Sequence, residues 1–164
     1  MKPFLISHLR DANTYQKSPM ALLEKMLFVK KSTIPGSGKG LFTKKPIAKG
    51  TNVAEYKGKV SNWVNANHAG GDNPYIFYVN RNYVIDALNR LSSLARYAND
   101  GLGLSRVKGI SNNCTYVTKG KRVFLHSTKD IPANAEILVD YGRDYWKVIR
   151  KNMKDKQVVK KPNV

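Results

Sequence analysis

From Met26 onward the chain is cut into short runs rich in Val, Ile, Tyr and Phe. They are MLFVKK (26–31), NVAEYKG (52–58), YIFYV (75–79), NYVIDA (82–87), CTYVT (114–118), RVFLHS (122–127) and EILVDY (136–141), each bounded by Gly, Asn, Asp, Pro or Lys. Branched and aromatic side chains suit a pleated, half-buried surface, and the flanking residues supply turns. Many short strands with little helix between them argue against a doubly wound α/β architecture and predict a mainly β fold with short helices. Helix is expected in three places. Ser18 and Pro19 read as cap and first position of a short helix through MALLEKM (20–26). Leu88, Leu91, Leu94, Ala95 and Ala98 recur at helical spacing and predict a short helix or 3₁₀ turn near 90–97. RDYWKVIRKNMKDK aligns Tyr145, Val148, Ile149 and Met153 along one stripe, and the polar end is expected to fray.

A chain of 164 residues suits one domain. The expected division is an N-terminal extension over 1–25, the domain over 26–146 and a basic helix and tail over 147–164. The balance of 29 Lys and Arg against 11 Asp and Glu gives +18. Such a charge suits a protein that meets polyanions such as nucleic acid, or a Lys-rich solvated face. Cys114 is the single cysteine, so neither an intrachain disulfide nor a multi-cysteine zinc site can form, and no metal is expected. A reducing, intracellular setting follows as an expectation, cytoplasmic or nuclear. No run reaches the ~18 apolar residues of a membrane span, and the N-terminus lacks the apolar centre of a signal peptide.

Two segments resemble each other: KKPIAKGTNVAEYKG (44–58) and TKDIPANAEILVDYG (128–142). Each carries an Ile near a Pro, then a turn residue expected at positive φ (Gly50, Asn134), then a strand ending in Tyr. Tyr56 and Tyr141 are thereby placed at equivalent strand ends. IPGSGKGLF (34–42) allows sharp turning and close approach of a ligand to the backbone, or a plain hairpin turn, and fits no phosphate-binding fingerprint.

The order of these elements carries more than any one of them. A Gly-rich turn leading into a strand, Tyr-x-Gly, Ile-Asp-Ala, Ala-Arg-Tyr-x-Asn, Asn-Cys, Lys-Asp-Ile and a closing Asp-Tyr-Gly, over about Met26 to Trp146, resemble the SET-domain protein lysine methyltransferases. The compact length and the DYGRDYW ending look most like the small viral and bacterial members. The resemblance implies a β-clip-like SET fold with a pseudo-knot near the active site and a C-terminal helix. It implies S-adenosylmethionine as co-substrate and lysine in a protein (histone, histone-like or other basic protein) as methyl acceptor.

Residue by residue, the resemblance makes Gly38, Lys39 and Gly40 the turn that holds the methionine end of the cofactor. It places Arg96, Asn99, Asp100 and Trp146 in cofactor binding and Asn113-Cys114 at the threaded segments. Tyr141 falls on the catalytic tyrosine, with a share in cofactor contact. Tyr56 is expected beside it, and Tyr56, Tyr75 and Tyr145 line the lysine channel. Asp100 stands where the family usually has His, the stretch 100–111 is longer than usual, and no cysteine-rich module can close the channel. Tyr145 and Trp146 are the aromatic candidates for that wall. The competing expectation is a catalytically impaired SET-like domain that binds nucleic acid or chromatin; a homodimer is open to either.

Overall fold

The computed structural model describes residues 5–6, 23–66 and 73–159. The helix expected from Ser18 lies outside the described residues except for its end, where Leu23–Met26 forms a 3₁₀ turn. Among the described residues, ten short strands and one α-helix follow the expected mainly β pattern. The strands are β1 Leu5–Ile6, β2 Leu27–Lys31, β3 Lys39–Thr43, β4 Asn52–Glu55, β5 Lys59–Ser61, β6 Ile76–Asn80, β7 Tyr83–Asp86, β8 Cys114–Lys119, β9 Arg122–Ser127 and β10 Glu136–Ile137. A second 3₁₀ turn covers Leu94–Tyr97, and helix α1 runs Arg143–Val159.

The strands form three small sheets, ordered β1-β6-β7-β5, β10-β3-β2 and β4-β9-β8. All pairings are antiparallel except β1 with β6. The IPGSGKGLF stretch closes the β2–β3 hairpin, with Ser32 N–H donating to Gly38 O at 2.9 Å and Gly36 and Gly38 at φ +78° and +67°. The two look-alike segments meet each other: Ile47 and Ile131 exchange backbone hydrogen bonds at 2.9 and 2.8 Å. Gly50 and Asn134 both take positive φ, +84° and +62°, as their turns require.

The main core holds the sheets together, with Leu41, Phe77, Val123, Leu125, Ile131, Ile137 and Val139 all essentially inaccessible. The run 136–141, expected as one strand, is a strand only at Glu136–Ile137. Beyond that point the backbone changes partners, and Leu138 and Val139 bridge in parallel to Asn99 and Cys114. The helix starts at Arg143, where the expected RDYWKVIRKNMKDK helix opens. Gly142, at φ +88° with its N–H held by the Asp140 carboxylate at 2.8 Å, ends the extended segment there. Tyr145 and Trp146 therefore sit in the first turns of α1.

Candidate active site

The site is built where 138–141 passes between two other segments. Val139 N–H donates to Asn99 O at 2.8 Å on one side; on the other, Cys114 N–H donates to Leu138 O at 2.8 Å. The buried Asn113 amide acts as a further backbone partner, giving Nδ2–H to Glu136 O at 2.8 Å and accepting Leu138 N–H at 2.9 Å. A side-chain amide has a donor and an acceptor, which lets it pair with both polar groups of a passing strand. These are the segments expected to thread, and their pairing leaves Tyr141 at the exit.

Tyr141 joins a set of tyrosines from separate elements. Tyr56, 3% exposed at the end of β4, lies 6.0 Å from Tyr116 of β8 in an edge arrangement. Tyr145 of α1 meets Tyr141 edge-on at 4.9 Å, while Trp146 stacks on Tyr141 at 5.9 Å with planes 11° apart. Two hydroxyls direct their protons to backbone carbonyls: Tyr141 to Ala98 O at 2.7 Å, Tyr56 to Tyr75 O at 3.0 Å. Burial pushes the Tyr116 and Tyr141 hydroxyls well above the ordinary tyrosine range, and negative charge on neighbouring tyrosines or Asp100 would add to this. Burial raises Tyr56 likewise, against a smaller opposing pull from Arg96, and Tyr145 is pushed up to about 12. All four remain neutral hydrogen-bonding groups at physiological pH. Tyr116 was not among the residues singled out from sequence. Its signal is period-two alternation, since on β8 Cys114 and Tyr116 both face inward.

Beside the tyrosines lies a cavity of about 290 Å³. Asn99, Asp100, Tyr141, Tyr145 and Trp146 line it, together with Ile34–Ser37 of the glycine-rich turn and with Leu104, Ser105 and Ile149, which were not among the expected site residues. The Asp100 carboxylate, in a residue 5% exposed, accepts four hydrogen bonds. Oδ1 receives Leu102 N–H and Asn112 Nδ2–H, both at 2.8 Å; Oδ2 receives Tyr141 N–H at 3.0 Å and Trp146 Nε1–H at 2.6 Å.

The remaining expected site residues stand around this cavity without lining it. Asn99 Nδ2 donates to Lys39 O at 3.0 Å and to the Glu136 carboxylate at 3.3 Å, which ties the cavity floor to β3. Glu136 also accepts from Ser32 Oγ, Thr33 N and Thr33 Oγ1 at 2.6–2.7 Å, holding down the base of the glycine-rich turn. Gly40 makes room for it, since a Cβ there would collide with the Glu136 carboxylate. Gly38 and Lys39 are exposed, and the wall is formed by the residues just before them. Arg96 sits over the Tyr75 ring at 3.9 Å and donates to Ala87 O and Leu88 O, which fixes Tyr75 behind Tyr56.

The SET domain family matches residues 38–142. No curated protein sequence matches the chain significantly. Among solved structures, the methyltransferase domain of human PR domain-containing protein 2 is similar, with a TM-score of 0.54 at 20% identity over 80% of this chain and 95% of that one. With the family match covering more than half of its sequence, and the threaded strand end and small sheets in place, the chain belongs to the SET-domain family.

Proposed function

We propose that this chain transfers a methyl group from S-adenosylmethionine to the side-chain amine of lysine in a protein. The observation that carries this reading is the half-buried Tyr141, whose hydroxyl proton is directed to Ala98 O within a shell of other tyrosines. The cavity beside it suits the co-substrate: a half-buried indole and phenol offer flat faces to a purine, and Asn99 and the Ile34–Ser37 backbone offer polar contacts. Its volume lies near the lower end of ligand pockets, commonly ~300–1,000 Å³. When bound, the sulfonium supplies an electrophilic methyl group.

The protein's part is to present a neutral amine. Lysine at its ordinary pKa of ~10.4 is almost wholly protonated at neutral pH, so a productive site must favour the free base. A desolvated aromatic channel does so, because burial disfavours the charged form. With their own protons committed to carbonyls, the Tyr141 and Tyr56 oxygens have lone pairs left to accept from the amine and orient it. This is catalysis by positioning and dehydration, and it requires no carboxylate base.

The decisive assay is transfer of a radiolabelled methyl group to a Lys-rich protein mixture, with the modified residues located by mass spectrometry. Tyr141→Phe should lower transfer by at least ~100-fold while cofactor binding persists. Near wild-type transfer by that variant would overturn the role given to Tyr141. A second reading, a nucleic-acid binding module without catalysis, draws on the +18 charge and on Asp100 in place of the usual His. Calorimetry separates the two, since such a module has no need to bind S-adenosylmethionine.

A further inference from the structure

Asp100 is the least expected residue of the site, and its carboxylate accepts as many hydrogen bonds as that of Glu136. Its four donors come from three separate parts of the chain: the long loop itself (Leu102, Asn112), the strand end (Tyr141) and helix α1 (Trp146). The loop base is closed by a fifth bond, Gly101 N–H to Asn112 Oδ1 at 2.7 Å. Gly103 then brings the loop backbone against the indole so closely that a Cβ would collide with Trp146. Only a short side chain with two acceptor oxygens satisfies all four donors. A neutral imidazole has one acceptor nitrogen, and an Asn would turn an NH₂ toward two N–H groups.

We propose that Asp100 is a positioning residue that ties Trp146 and the 100–112 loop together as one wall of the cofactor cavity. It works through Trp146 and the loop, its two carboxylate oxygens being engaged by four protein donors. The chain thereby builds this wall from a carboxylate and a long loop. This rests on reading the cavity as the S-adenosylmethionine site, although the tie itself exists without ligand.

The experiment compares wild type with Asp100→Asn and Trp146→Phe. The second variant keeps an aromatic ring while removing the indole N–H together with the volume of its second ring, and so covers the case in which Asp100→Asn fails to fold. Both should raise the KM and Kd for S-adenosylmethionine, Trp146→Phe by about tenfold and Asp100→Asn by more, with a smaller effect on kcat in each. Loosening of the wall is read without cofactor as faster trypsin cleavage after Arg106 or Lys108, both exposed in the loop. Unchanged cleavage in Trp146→Phe, or a loss confined to kcat, would overturn the proposal. If wild type binds no S-adenosylmethionine, the functional reading fails, and the cleavage comparison alone decides whether Asp100 holds the wall.

Discussion

At the scale of single residues, Glu136 and Gly40 form a pair that neither could be without the other. Glu136 is 6% exposed and holds Ser32, Thr33 and Asn99 together; the missing Cβ of Gly40 is the space its carboxylate occupies. Gly40→Ala should therefore cost ~1–3 kcal/mol by displacing a buried carboxylate from its donors. Gly36→Ala, at positive φ with open space around it, should cost only ~1 kcal/mol of backbone strain. Chemical denaturation of the two variants measures the difference, and equal losses would contradict the steric account. The glycines were legible in the sequence as a sharp turn, and Gly50 and Asn134 as positive-φ positions, because backbone need is local. Glu136 read only as a charge opening a strand, because its partners lie about a hundred residues earlier.

At the scale of elements, the tyrosines arrive from the end of β4, from β8, from the threaded strand end and from α1, so their shared burial exists only in the assembled fold. Tyr141 and Tyr56 were legible through the repeated turn-strand-tyrosine pattern. Tyr116 was not, because an inward tyrosine on a strand looks the same in a core as in a channel. The shell has a consequence in alkaline solution. Tyr56, Tyr116, Tyr141 and Tyr145 have folded pKa values raised above an ordinary value near 10, so their share of stability is fully present below pH 10 and lost above it. Cys114, pushed up to about 12, adds to the loss from about pH 9. For Tyr145 the window is about pH 10 to 12. Each group steepens the fall by up to ~1.4 kcal/mol per pH unit. Denaturation midpoints should drop sharply above pH 10, and tyrosinate absorbance from these four should appear together with unfolding. A midpoint flat to pH 11.5, or ionisation of all nine tyrosines near pH 10 in the folded protein, would contradict the burial described.

At the scale of the whole molecule, the charge of +18 meets a chemical difficulty, because a cationic enzyme repels the Lys-rich proteins we propose as its substrates. Helix α1 shows how this could be resolved. Its inward side carries Tyr145, Trp146 and Ile149 at the cavity, while Arg143, Lys147, Arg150 and Lys151 are exposed at the i, i+4, i+7, i+8 spacing of one helical face. The two ion pairs found among the described residues, Lys57 with Glu24 and Arg122 with Glu55, lie elsewhere, which leaves this stripe open to a polyanion. A nucleic acid bound along it would neutralise the enzyme next to its site and recruit basic substrates to the same strand. Reversing Lys147, Arg150 and Lys151 to Glu should weaken DNA binding and reduce the slope of log K against log salt by about 2–3, as three phosphate contacts require. Methylation of a free Lys peptide should stay within about twofold in that variant, because the reversed side chains are remote from the tyrosine shell by helical phase. Stimulation of protein methylation by added DNA should disappear. Wild-type methylation that is insensitive to both salt and DNA would show that the charge serves another purpose and that the enzyme meets its substrate directly.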